Sequence, residues 1–229
     1  MSTRVFPGFD FPMTAHAALL VIDMQPCGVG AEFGLIQAIE RTEPGYTRYL
    51  MERVQRAVVP NLQRLVAVFR GRGLPVYFTA FASPAGDGSD ITTATIRYRD
   101  AQRRAATGRS VVLPRSHPAT DIVSELAPAS GDTVLTKTSM DTFVSTRLAD
   151  ELHRLGVRTL VIGGVLTDAC VESSARHAAE RGFQVFVAED ACAAWEEVFH
   201  AASLASLSRY FARVASTSQI IREVELAVG

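Results

Sequence analysis

Cys170 sits where a thiol can become a nucleophile. It closes the segment Gly163-Gly164-Val165-Leu166-Thr167-Asp168-Ala169-Cys170, directly after an apolar run and at the opening of a small-residue helical pattern. The first turn of a helix carries unpaired N–H groups and a partial positive charge. That field favours thiolate over thiol, and the same N–H groups can hold a developing oxyanion. Two charged residues end other apolar runs: Asp23 after Ala17-Ala18-Leu19-Leu20-Val21-Ile22, and Lys137 after Thr133-Val134-Leu135-Thr136. Alone, each reads as a turn residue or a solvated charge. Together they supply what a thiol needs: a partly desolvated carboxylate to take its proton and return it to a leaving amine, and an ammonium to offset the negative charge. No histidine falls at a strand end. His153 and His177 lie on helical patterns, His117 in a long connection, His200 at the start of a late helix and His16 before the first strand; each reads as structural. Cys192 and Cys27 read as small buried hydrophobes, with Cys27 near the mouth of any pocket beside Asp23.

Asp23, Lys137 and Cys170 can meet only if the elements that end on them lie side by side. Residues 17–22, 75–81, 133–136, 159–162, 184–188 and, more weakly, 212–215 form short apolar runs rich in β-branched residues, the pattern of strands buried on both faces. Helical stripes alternate with them. Leu62, Leu65, Val66 and Phe69 run to Gly71 and Gly73; Leu148, Leu152 and Leu155 run to Gly156; Val171, Ala175, Ala178 and Ala179 run to Gly182; Ala201, Leu204, Leu207 and Phe211 form the last. A glycine just past the stripe is a common helix stop. This alternation predicts an α/β fold with a mostly parallel, doubly wound sheet, read as one domain over residues 1–229. Ligands bind such sheets at the carboxyl ends of the strands, where all three residues fall. Residues 84–117 are polar and weakly periodic; they read as a long connection with one short helix near 91–106, a lid or an oligomer contact.

Composition narrows the function classes. The chain has 229 residues, 48% of them hydrophobic, and a net charge of −1, so it can bury a substantial core but lacks the basic face that nucleic acid or an anionic membrane requires. Its three cysteines, widely spaced, form neither a disulfide framework nor a zinc pattern, which points to a reducing compartment. With no signal-peptide pattern and no apolar run near 20 residues, the expectation is a soluble cytoplasmic protein without a metal or other cofactor.

The ordered pieces Leu20-Val21-Ile22-Asp23-Met24-Gln25, Lys137-Thr138-Ser139-Met140-Asp141-Thr142-Phe143, Gly164-Val165-Leu166-Thr167-Asp168-Ala169-Cys170-Val171 and Ala188-Glu189-Asp190-Ala191-Cys192-Ala193 with His200 resemble the isochorismatase-like cysteine hydrolases. That family includes nicotinamidases, N-carbamoylsarcosine amidases, ureidoacrylate amidohydrolases and biuret hydrolases. The resemblance implies a six-stranded sheet with helices on both faces (a three-layer α/β/α fold) and a homodimer or homotetramer. It also implies Cys170 as nucleophile, Asp23 as general base and acid, and Lys137 as charge stabiliser. A cis peptide between Val165 and Leu166 would aim the Leu166 and Cys170 amides at the oxyanion. The implied substrate is a small amide, carbamoyl or acylurea compound. Candidate pocket walls are Gln25, Phe81, Met140, Phe143, Leu166 and Trp195, with Arg97 or Tyr98 reaching in from the connection. The zinc-binding Asp-x-His and further histidine of nicotinamidases are missing, since the second long strand ends Phe78-Thr79-Ala80-Phe81-Ala82-Ser83. True isochorismatases, which cleave a vinyl ether, lack a cysteine at the position of Cys170. A member kept only for binding would have lost one of the three reactive residues, and none is lost. After Gln25 the chain departs from the family pattern as Pro26-Cys27-Gly28-Val29-Gly30, which points to an unusual substrate.

Overall fold

Strand β1 (Ala17–Ile22) is buried at all six positions, as its unbroken apolar run predicts. A computed structural model describes residues 9–30, 34–108 and 110–228. Around β1 lie β2 (Val76–Phe81), β3 (Thr133–Lys137), β4 (Thr159–Val165), β5 (Gln184–Ala193) and β6 (Arg213–Ala215), in the order β3-β2-β1-β4-β5-β6. Every pairing is parallel. The helices are α1 (Pro26–Val29), α2 (Gly34–Thr42), α3 (Arg48–Arg53), α4 (Val59–Gly71), α5 (Ala94–Thr107), α6 (Thr142–Ser145), α7 (Leu148–Arg154), α8 (Glu172–Glu180), α9 (Glu197–Tyr210) and α10 (Thr217–Ala227). Among the described residues, no helix is long and apolar enough to cross a membrane.

Side chains alternate across a strand, and β1 shows the resulting three layers. Leu19 and Val21 pack in one core with Leu62, Leu65 and Phe69 of α4 and with Ile220 and Val224 of α10. Leu20 and Ile22 pack in a second core with Leu148 and Leu152 of α7, Ala175 and Ala178 of α8 and Leu207 of α9. Leu62, Leu65 and Phe69 are completely buried; each such side chain stabilises the fold by about 1.5–3 kcal/mol. Truncating Phe69 to Ala would cost about 3–5 kcal/mol. The predicted stops hold: Gly156 and Gly182 follow α7 and α8 with φ of 69° and 88°.

The strand order runs one way from β1 through β2 to β3 and the other way from β4 to β6, so the ligand crevice of such a sheet opens at the carboxyl ends of β1 and β4. There the two backbones press together. A Cβ on Gly164, whose φ is 119°, would stand 2.1 Å from the Ile22 carbonyl oxygen and 2.6 Å from its nitrogen. Only glycine fits.

Three elements differ from expectation. Strand β5 does not stop at 188 but continues to Ala193 through a register shift, so that Cys192 and Ala193 pair with Gly164 and Val165. The polar Glu189-Asp190 pair that seemed to end the run sits in the irregularity, where the Asp190 carboxylate accepts from the Thr217 N–H (2.7 Å) and hydroxyl (2.6 Å) at the start of α10. Helix α9 packs Leu204 and Leu207 of the predicted stripe on the core, with Phe211 just past its end, leaves Ala201 exposed, and also buries His200 and Ser203, because these polar side chains find buried partners. The connection helix α5 starts at Ala94, and its Arg97 and Tyr98 do not reach the crevice. The Arg97 guanidinium is held by the Ile91 and Thr92 carbonyls, and Tyr98 is 66% exposed.

Candidate active site

Asp23 follows the last residue of β1 and is, among the described residues, the one non-glycine residue with positive φ, at 51°. Aspartate tolerates this left-handed conformation better than most residues. The turn is secured from β2: the Asp23 N–H donates to the Thr79 carbonyl (3.2 Å) and hydroxyl oxygen (3.1 Å), and the Thr79 hydroxyl donates to Asp23 Oδ1 at 2.6 Å. Two residues on, Gln25 locks the same turn to the next strand and loop. Its amide donates to the carbonyls of Thr120 (2.7 Å) and Phe81 (3.3 Å), and its Oε1 accepts from the Phe81 N–H (2.8 Å).

Lys137 ends β3 directly opposite Phe81. Its side chain is fully buried, with Nζ 2.8 Å from Asp23 Oδ2 and 3.2 Å from Cys170 Sγ. The same ammonium approaches the carbonyls of Ser139 (2.9 Å) and Met140 (3.2 Å) and stands 5.0 Å from the centroid of the Phe81 ring. Burial alone would push its pKa down, but the negative charge of Asp23 and the neighbouring Cys170 sulfur hold it above the ordinary lysine range. A cation that stays charged in so dry a place must be paired.

Cys170 lies in a single π-helical turn, Thr167–Val171, that leads into α8. Burial, joined by the Asp23 carboxylate, pushes its thiol up to about 12 against the opposing pull of Lys137. Burial and the Asp23 charge thus oppose the helix-terminal field and the Lys137 charge, which favour the thiolate. The peptide bond between Val165 and Leu166 is cis.

Asp23, Lys137 and Cys170 thus meet at the crevice, from three different strands. The expected pocket walls divide. Phe81 and Met140 border the Lys137 ammonium. Gln25 is 2% exposed and its amide is committed to the backbone clamp, so it is not a free substrate ligand. Phe143 is buried in the α7/α8 core, stacked over Phe183, because the short helix α6 turns it away from the crevice. Trp195 stands two residues past Ala193, 6.2 Å from the Tyr46 ring, on an open cleft of about 570 Å³ also lined by Tyr49 and Glu196. Cys27 is close enough to feel the Asp23 charge, and burial pushes its thiol to about 11. Thr79 and Thr120 belong to the site's framework although the sequence reading passed over them; the one visible sign was a hydroxyl near the end of an otherwise apolar strand. Among the described residues, no group of three or more His, Cys, Asp or Glu side chains is arranged to hold a metal ion.

Known proteins resemble this chain over most of its length. The isochorismatase domain model matches residues 17–219. Nicotinamidase 3 of Arabidopsis thaliana is 34% identical over 93 residues, 41% of this chain and 47% of that protein. Ureidoacrylate amidohydrolase RutB of Methylobacterium radiotolerans is 30% identical over 168 residues, 70% of this chain and 65% of its own length. A cysteine hydrolase crystal structure from Pseudomonas syringae pv. phaseolicola superposes with a TM-score of 0.76 at 25% identity, covering 99% of this chain and all of that one.

Proposed function

The chain belongs to the isochorismatase family of hydrolases, and from that premise we propose that it hydrolyses a C–N bond of a small amide, carbamoyl or acylurea compound through a thioester at Cys170. The observation that carries this reading is the single buried ammonium of Lys137, 2.8 Å from a carboxylate and 3.2 Å from a thiol. The amidohydrolase relative and the cysteine hydrolase neighbour support it.

Burial raises the Cys170 thiol, so ionising it before the substrate arrives is disfavoured. In this scheme the proton therefore passes from Cys170 to Asp23 as the sulfur attacks the carbonyl carbon. The new C–S bond leaves an oxyanion, which the backbone N–H groups of Leu166 and Cys170 hold; each such donor lowers the barrier by about 3–4 kcal/mol. The C–N bond breaks as Asp23 returns the proton to nitrogen, and ammonia or an amine departs. Water then gives a proton to Asp23 and attacks the thioester. The C–S bond breaks, and the Cys170 sulfur recovers its proton from Asp23. Lys137 stays protonated throughout, balancing whichever of its two neighbours carries the negative charge. No metal or cofactor enters the scheme, and the partners it needs are the amide and water.

Cys170→Ala and Cys170→Ser, assayed by ammonia or amine release on a panel of carbamoyl, acylurea and simple amides, test the reading. Turnover should fall at least about a thousandfold in Cys170→Ala, the scale lost when a covalent nucleophile is removed. A Cys170→Ala protein keeping a tenth of the parent rate would end the covalent scheme.

A further inference from the structure

His200 is only 6% exposed, and both of its ring nitrogens are engaged. Nε2 lies 2.8 Å from Arg53 Nη2 and Nδ1 lies 2.8 Å from Thr167 Oγ1. A guanidinium can only donate, so Nε2 must accept. The imidazole is then neutral with its hydrogen on Nδ1, and that hydrogen goes to the Thr167 hydroxyl oxygen. Burial and the Arg53 charge agree, holding the ring's pKa down at about 4. The tautomer is set by the partners.

Each end of this relay is anchored. Arg53, at the end of α3, donates from Nε to the Cys192 carbonyl (2.8 Å) and from Nη2 to the Glu189 carbonyl (2.9 Å), and Cys192 is the residue that pairs with Gly164. Thr167, fully buried, opens the turn that carries Cys170. One turn further along α9, the Ser203 hydroxyl shares its one hydrogen between the Glu172 carboxylate and the Thr167 carbonyl, the latter 3.1 Å away. Arg53 therefore braces the segment Gly164–Cys170 from both sides, at Gly164 through β5 and at Thr167 through His200.

We infer that Arg53, His200 and Thr167 form a positioning relay that holds the Leu166–Cys170 turn in register with Asp23 and Lys137. The inference rests on the reading of Cys170 as nucleophile. None of the three residues is assigned contact with substrate. They act through the backbone of the turn, so their loss should slow attack by the Cys170 sulfur without changing which groups titrate. Misplacing a reacting atom by about 1 Å costs on the order of a hundredfold in rate.

The test uses the full chain and p-nitrophenyl acetate as acyl donor, with acetylation of Cys170 followed by peptide mass spectrometry and melting temperature measured alongside. Thr167→Val should lower the saturating acylation rate by about 10–100-fold with little change in half-saturation, and Thr167→Ser should restore most of it. His200→Asn, whose amide nitrogen can stand in for Nδ1, should keep more of the rate than His200→Gln, which reaches toward Arg53 instead. If Thr167→Val does not fold, the His200 pair decides alone. A parent protein not acylated at Cys170 would overturn the nucleophile reading itself. A parent that is acylated, with Thr167→Val or His200→Gln keeping its rate, or with Thr167→Ser failing to recover, would overturn the relay while leaving that reading intact.

Discussion

Replacing Lys137 with Met keeps the volume of the buried side chain and removes its charge, leaving the Asp23 carboxylate facing the crevice without its cation 2.8 Å away. The carboxylate then has two courses. It can stay ionised, at the roughly 3–5 kcal/mol that follows from breaking a buried pair. Or it can hold a proton that the unfolded chain, with a free carboxyl near about 3.9, has released; relative to that unfolded state this costs about 4 kcal/mol at pH 7 but only about 1.5 kcal/mol at pH 5. The cheaper course wins at each pH. Above pH 4 the unfolded chain releases that proton while the folded variant keeps it, so the folded state binds more protons and stability falls as pH rises. The variant's deficit relative to the parent should therefore grow by about 2.5 kcal/mol between pH 5 and pH 7 and then flatten. For a chain of this length, that is roughly 5–10 °C in melting temperature. Thermal unfolding of parent and variant in matched buffers from pH 5 to 8 reads it directly. The double variant Asp23→Asn with Lys137→Met, which has no charge to neutralise, should show a deficit that does not change with pH and that is smaller at pH 8 than for Lys137→Met alone. A Lys137→Met deficit constant across the range would refute the view of Lys137 as the compensating charge of this site.

Thr79→Val removes a hydroxyl bonded to Asp23 Oδ1 at 2.6 Å; since a hydrogen bond to a charged group is worth about 1.5–3 kcal/mol, kcat should drop about 10–100-fold, and an unchanged kcat in a folded variant would remove Thr79 from the account. Because the Cys170 thiol is held near 12, its alkylation by iodoacetamide, followed by peptide mass spectrometry to separate it from Cys27 and Cys192, should climb about tenfold per pH unit through pH 9; a plateau below pH 8 would mean that the helix-terminal field prevails. Gly164→Ala places a methyl group 2.1 Å from the Ile22 carbonyl oxygen at a φ that side chains resist, so soluble folded protein should be lost, and a variant melting within about 2 °C of the parent would contradict the close approach of β1 and β4.

The fold was legible wherever burial is uniform. The run Ala17–Ile22 reads as a two-sided strand because it has no polar face, and the structure buries all of it. The glycines after α7 and α8 read as stops because a left-handed residue ends a helix cheaply. Legibility failed where a polar residue's partner is distant in sequence. Glu189 and Asp190 look like the end of β5 until the bonds from Thr217 are seen, and the whole buried face of α9 cannot be found from apolar spacing alone when His200 and Ser203 are part of it. Helix α1 has only four residues, with Pro26 at its start and Gly28 inside, too short to show any period.

The site divides along a similar line. Asp23 and Lys137 stood out only in combination, as a carboxylate and an ammonium that end two apolar runs in a chain with a thiol after a third, and they converge with Cys170. The groups that aim them are neutral and β-branched, and so resemble strand or helix filler: Thr79 inside Val76–Phe81 fits β-propensity, and its role emerges only from the register that sets it opposite Ile22. The burial that raises the Cys170 thiol was hidden for a related reason. A helix terminus is visible in sequence, whereas desolvation depends on what packs above it. Burial raises a thiol and lowers a histidine, and this crevice does both, to Cys170 and to His200. Its one buried ammonium is kept charged by the carboxylate and the sulfur beside it. The arrangement therefore favours a proton that moves during the reaction over one already gone before the substrate arrives.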